Sequence, residues 1–181
     1  MPSLKDFGFS DAEVAKKPDK RSCYPFVGGE SNGLKRMNEY IHERASVAHY
    51  NETRNSLIGS EYSSKLSPWL ANGSLSAREV YWATKNFEKT NRANESTKVF
   101  IDELFWRDFN KYWFMRYAGK AFSEYGIYDR QYYGWKTSDT VMDRWRRGQT
   151  GMPLVDALMR EMNETGFMPN RGRMVVACYL T

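Results

Sequence analysis

Residues 96–117 read STKVFIDELFWRDFNKYWFMRY, and this stretch decides the fold class. Val99, Phe100, Ile101, Leu104, Phe105, Phe109, Tyr112, Trp113 and Phe114 set apolar side chains around most of a helical circumference. Such a segment is predicted as a buried helix, with Gly119 as its stop. Within it, Glu103, Trp106, Arg107 and Asn110 fall at i, i+3, i+4 and i+7, and so form one stripe. The stripe fits an internal salt bridge beside a core tryptophan. It equally fits a surface that stacks on a planar base while hydrogen bonding to its edges.

Helical signals continue in both directions. Upstream, Leu34, Met37, Ile41, Ala45 and Ala48 recur at steps of three or four with Lys35, Arg36, Glu39 and Glu43 between them, predicting one amphipathic helix of 16–19 residues. Ser76, followed three residues later by Glu79, is a capping box that opens a second helix, with Val80, Ala83 and Phe87 on its apolar face. Downstream, residues 119–138 are rich in Gly and Tyr and predict an irregular connection, then a short helix near 139–147. Pro153 suits the first position of a helix that Gly166 ends, and NRGRMVVACYLT opens another apolar helix. No alternating strand pattern runs to useful length. The predicted class is all-α, an irregular multi-helix domain over 30–181 preceded by a lead-in linker, 1–29, with Pro2, Pro18 and Pro25.

Composition narrows the chemistry. The chain has 181 residues, 28 of them aromatic, and a formal charge of +5, which favours anionic partners. No run approaches the ~18 apolar residues of a transmembrane helix. The first residues lack a secretory pattern, and two cysteines without CxxC spacing build no disulfide framework, so an intracellular location is expected. His42 and His49 are the only histidines, too few for a metal site with the carboxylates at hand or for a usual hydrolase triad. Neither GxxxxGK[ST] nor GxGxxG occurs.

Two further clusters stand out. YSSKLSPW at 62–69 offers three serine hydroxyls, loop amides and Lys65, which suits a phosphate or pyrophosphate, although a plain ST-turn leading into a helix would read the same. MPNRGRM at 168–174 places Asn170, Arg171 and Arg173 at a helix start, where free amides and guanidiniums favour an anion.

In order and spacing, YSSKLSPWLANGSLSAR (62–78), ELFWRDF (103–109), GQTGMPLVDALMREM (148–162) and TGFMPNRGRM (165–174) resemble the flavin-binding helical domain of the DNA photolyase/cryptochrome family. PFVGGESNGLKRMNEYI and the Phe of TGFM are most similar to the DASH cryptochrome branch. Where DASH members often carry Gln, this chain has Met174, as dimer photolyases do.

The resemblance implies a bound FAD. By motif position, Tyr50, Ser63, Ser64, Lys65, Leu66 and Ser67 match contacts to its phosphates and ribityl chain, and Arg173 sits beside it. Glu103, Trp106 and Asn170 match residues that hold a flipped-out pyrimidine dimer. Arg54, Arg107, Asn110 and Arg171 match positions near substrate or DNA backbone, and Trp135 the outermost tryptophan of an electron-transfer chain. The implied function is light-driven repair of cyclobutane pyrimidine dimers, preferentially in single-stranded DNA, by a monomer without metal. A blue-light sensor without repair activity and a nucleic-acid-binding remnant without flavin are the alternatives. In the family an α/β domain, which can hold an antenna chromophore, precedes the helical domain, and an Asp/Trp/Asn-rich segment follows. The chain is therefore expected to be a partial product with about half of the flavin pocket.

Overall fold

The structure is a computed structural model that describes residues 3–11, 19–130, 134 and 138–180. Among these residues the regular elements are all helical, as the periodicity predicts. Eight α-helices are described: α1 (Glu30–Asn38), α2 (Tyr50–Thr53), α3 (Ser67–Asn72), α4 (Ala77–Asn91), α5 (Glu95–Tyr117), α6 (Asp139–Arg146), α7 (Pro153–Thr165) and α8 (Asn170–Leu180). None of the described helices is long and apolar enough to cross a membrane. The chain divides into two compact units, Phe26–Thr140 and Met1–Pro25 with Val141–Thr181.

In the unit Phe26–Thr140, the long amphipathic helix predicted from residue 30 is broken. α1 ends at Asn38 and widens into a π-helical turn, Glu39–Glu43, which turns Tyr40 and Ile41 inward together, both at 0% exposure. Ala45 then adopts a left-handed conformation (φ 51°), reversing the chain into a 3₁₀ turn, Ser46–His49, and the short α2. The buried face is therefore Gly33, Arg36, Tyr40 and Ile41, while Leu34 and Met37 are only half-buried. Arg36, read in the sequence as part of the polar face, is 1% exposed. Gly33 lets α1 approach α3 closely, because a Cβ there would lie 3.0 Å from Cγ of Trp69 and the indole would have to give by a few tenths of an ångström. Trp69 is fixed in turn by donating from Nε1 to the Val27 carbonyl at 3.1 Å.

The Ser76–Glu79 capping box forms as predicted, with Glu79 accepting from the Ser76 amide at 3.0 Å. It starts α4, whose Val80, Thr84 and Phe87 face the core. Asn94 caps α5, accepting from the Thr97 amide at 2.9 Å. The Thr97 hydroxyl donates to Glu88 at 2.7 Å, which ties the start of α5 to the end of α4. The expectation that α5 is buried along its length holds only for its first turns. Ser96, Thr97, Phe100, Ile101 and Leu104 are buried against the 3₁₀ turn, α2 and α4, but Phe105, Trp106, Phe109, Tyr112 and Met115 are 56–69% exposed. The elements packed on α5 within this unit cover one end of it, so an all-round apolar sequence does not by itself produce all-round burial.

In the other unit, the arginine-rich turn after α6 is organised by Asp156. Its carboxylate accepts from the Thr150 amide and hydroxyl, both at 2.7 Å, and from the Gly151 amide at 3.0 Å. Pro153 stands in the first turn of α7 and Gly166 closes that helix with φ 73°, both as predicted. α8 packs on α7 at Gly172, where a Cβ would lie 2.6 Å from Cδ2 of Leu158. Trp145 of α6 donates to the Val176 carbonyl of α8 at 3.0 Å. The lead-in residues join this unit through an ion pair of Arg21 with Glu164 at 3.2 Å.

Candidate functional site

The loop 60–66, α3 and the first half of α5 line an open-sided cavity of about 420 Å³ in the unit Phe26–Thr140. Leu66, Leu70, Val80, Phe100 and Leu104 give it apolar walls, and its polar groups are Tyr50, Ser64, Ser67, Glu103 and Arg107. Two motifs 36 residues apart or more, the serine loop and the α5 stripe, thus meet at one site. That volume lies within the range of small-molecule and cofactor pockets, roughly 300–1,000 Å³.

Local structure sets each polar group. Tyr50 starts α2 with its ring edge-on to Phe100, centroids 5.1 Å apart. Burial, and next the negative charge of Glu103, push its phenol up to about 12 against the opposing influence of Arg54, so it remains a neutral donor. Arg54 donates to the Glu103 carboxylate. Arg107 donates to the Leu70 carbonyl at 3.1 Å and pairs with Asp108 at 2.6 Å, which holds its guanidinium on the C-terminal end of α3. Glu103 therefore pairs across to Arg54, just past α2, and not along its own helix to Arg107, so the internal-salt-bridge reading of the stripe does not describe this geometry.

Other expected residues take different places. Ser63 and Lys65 lie outside the cavity lining. Lys65 is 3% exposed with a left-handed backbone (φ 60°), and its ammonium sits over the Tyr62 ring, 3.0 Å from the centroid. Trp106 is 59% exposed and lines a shallow groove with Asp102, Phe105 and Phe109, edge-on to Phe109 at 5.5 Å. Asn110 donates to the Trp106 carbonyl at 2.9 Å, an intrahelical bond. In the other unit, Asn170 begins α8 and is exposed, the Arg173 side chain donates to the Met168 carbonyl at 3.1 Å, and Arg171 reaches Sδ of Met174 at 3.6 Å. Trp135 lies outside the described residues.

Sequence reasoning missed Phe100, Leu70 and Leu104 as cavity walls and Arg36 as the anchor of the serine loop. Arg36 donates to the carbonyls of Ser64 (2.9 Å) and Ser60 (3.0 Å) and to Glu61 (3.1 Å). No local signal marks it, because Arg36 falls among the polar residues between the apolar positions of the helical pattern.

A family model described as the FAD binding domain of DNA photolyase matches residues 100–181. A Cryptochrome DASH from Synechocystis sp. is 46% identical over 162 residues, 90% of this chain and 33% of that protein. The crystal structure of a Synechocystis sp. cryptochrome superposes with a TM-score of 0.87 at 45% identity, over 91% of this chain and 34% of that one. The chain belongs to the DNA photolyase/cryptochrome family. This photolyase/cryptochrome chain is DASH-like and carries part of the family's helical FAD-binding domain. A bacterial class III photolyase from Agrobacterium tumefaciens has the same fold, with a TM-score of 0.82 at 28% identity over 99% of this chain and 36% of that one. The chain spans about a third of the length of these relatives.

The cavity's chemistry fits a flavin dinucleotide. Its apolar walls suit a planar ring system, while the Ser64 and Ser67 hydroxyls and the Arg107 guanidinium suit a sugar-phosphate chain.

Proposed function

We propose that this chain takes part in light-driven repair of pyrimidine dimers in DNA, preferentially single-stranded, with FAD held in the Tyr50–Ser67–Arg107 cavity. The observation that carries this reading is the meeting of the serine loop with Glu103 in one pocket. The chemistry supplied with FAD bound is electron donation on illumination.

The protein's own residues have binding and orienting tasks. Ser64 and Ser67 offer hydroxyls to the phosphate and ribityl chain, and the Tyr50 phenol stays protonated to donate there. The apolar walls exclude water from the ring system. Glu103, held by Arg54, presents carboxylate oxygens to a base edge at one end of the cavity. Trp106 supplies an exposed indole face against which an extruded base can stack, and the cost of extrusion is lowest for a damaged or single-stranded site. The family resemblance further suggests lesion binding for Asn170, DNA binding for Arg171, flavin binding for Arg173 and an outer electron-relay role for Trp135.

The test is illumination of the flavin-loaded protein with a single-stranded oligonucleotide containing one thymine dimer. Loss of the dimer only in the light, faster than in duplex, is the expected result. Stable flavin binding with no dimer loss would replace repair with blue-light sensing.

A further inference from the structure

We infer that Arg36 is a positioning residue for the anion-binding face of the 60–66 loop, acting from behind it on the backbone. The inference rests on the proposed FAD site and adds to it a residue that touches no flavin.

Arg36 is 1% exposed, and its guanidinium donates to three carbonyls and one carboxylate of a single short loop. Nε donates to the Ser64 carbonyl at 2.9 Å, and Nη2 to the Ser60 carbonyl at 3.0 Å and more weakly to that of Ser63 at 3.5 Å. Nη1 reaches Glu61 at 3.1 Å and lies 3.8 Å from Glu39. Those two carboxylates balance the buried charge. What Arg36 adds to the loop is therefore geometry more than net potential. Across a trans peptide, the carbonyl of one residue and the amide of the next point in opposite directions. Among the described residues no peptide bond is cis. Drawing the carbonyls of Ser60, Ser63 and Ser64 onto Arg36 therefore turns the amides of Glu61, Ser64 and Lys65 away from the guanidinium.

The same loop delivers Ser64, Leu66 and Ser67 to the cavity, and Lys65 holds a left-handed backbone (φ 60°) in its midst. A non-glycine residue keeps that conformation only when its surroundings impose it. Arg36 supplies the imposition, and a lysine could not, because a single ammonium lacks the planar fork that reaches three acceptors at fixed spacing. Glu61 completes the clamp. Burial pushes its carboxyl up, but hydrogen bonds from Ser60 and Arg36 and the nearby charges of Arg36 and Arg44 hold it below its usual range. Arg36 is thus a loop anchor that would matter for the phosphates and not for the flavin ring.

The experiment compares the purified protein with its Arg36→Lys and Glu61→Gln variants. FAD and riboflavin are titrated separately, and hydrogen exchange of the 60–66 amides is followed without flavin. Arg36→Lys is expected to weaken FAD about tenfold, the loss of one charged hydrogen bond, while riboflavin, which has no phosphate, changes less than roughly threefold. Exchange in 60–66 should accelerate. Equal losses for the two flavins, unchanged FAD affinity, or unchanged exchange would overturn the inference. Should Arg36→Lys fail to fold, Glu61→Gln decides, with a FAD-selective loss supporting the role and a non-selective or absent one refuting it. Unmodified protein that binds neither flavin would instead overturn the FAD site itself, together with the inference that rests on it.

Discussion

Arg54, the residue that follows α2, donates through Nη1 to the carboxylate of Glu103 on α5. The two residues lie 49 positions apart in sequence, and their side chains remain 35% and 44% exposed. An ion pair so open to water contributes little to folding. Its value is directional, because it fixes the carboxylate at one edge of the cavity.

The first prediction separates those roles. Arg54→Ala is expected to cost less than about 1 kcal/mol of stability in urea unfolding. It should nonetheless weaken binding of a dimer-containing oligonucleotide severalfold, and do so non-additively with Glu103→Gln. Additive losses in the double variant would mean that Arg54 acts directly on DNA phosphate and not through Glu103.

Trp106 offers a cleaner contrast between folding and binding. With its side chain mostly in solvent, Trp106→Ala should leave stability within about 0.5 kcal/mol. Loss of one stacking face should weaken lesion binding by about 1–3 kcal/mol, measured by fluorescence anisotropy. Flavin affinity should not change. Loss of flavin or of fold would show that the indole is structural.

How much of this was legible in the sequence follows from which forces act locally. The capping box at Ser76, the stop at Gly166 and the start at Pro153 are decided within one turn of helix, and all three form as read. The break after Asn38 was not legible, because Ala45 takes a left-handed backbone that no residue type there announces and tertiary packing imposes it. Arg36 was misread for a related reason. Polarity normally marks the solvent face, but a guanidinium that satisfies three acceptors can lie in the core. The serine loop and the α5 stripe were each visible, yet pattern alone could not say that they share one cavity. Nor could it say that α5 would be covered over only its first turns.

A pH effect follows from Asp156. Hydrogen bonding from the Thr150 hydroxyl first, and from the Thr150 and Gly151 amides, holds its carboxyl below its ordinary 3.8 despite burial. A depressed native pKa gives stability that is present above the unfolded value and lost as pH falls through the folded one. The thermal midpoint of the protein should therefore fall on acidification below about pH 4. Asp156→Asn should already be lower at pH 7, with a flatter acid limb. Parallel acid limbs would deny Asp156 that role.

Packing gives a fourth expectation. A methyl group at Gly172 would lie 2.6 Å from Cδ2 of Leu158 and 3.2 Å from Cγ of Met168. Gly172→Ala should destabilise by about 1–3 kcal/mol, the usual cost of overpacking. Pairing it with Leu158→Ala should recover part of the Gly172→Ala loss. Urea unfolding of the two single variants and the pair measures both effects.

The central claim is that FAD occupies the cavity between the serine loop and α5. Titration of the purified protein with FAD, read by flavin fluorescence and by the absorption bands of the oxidised ring, tests it most directly. The account predicts one equivalent bound per chain, weakened by Ser64→Ala and Ser67→Ala together and by filling the cavity with Leu70→Trp. A folded protein that binds no FAD, or binds it with equal affinity when Leu70→Trp fills the pocket, would contradict it.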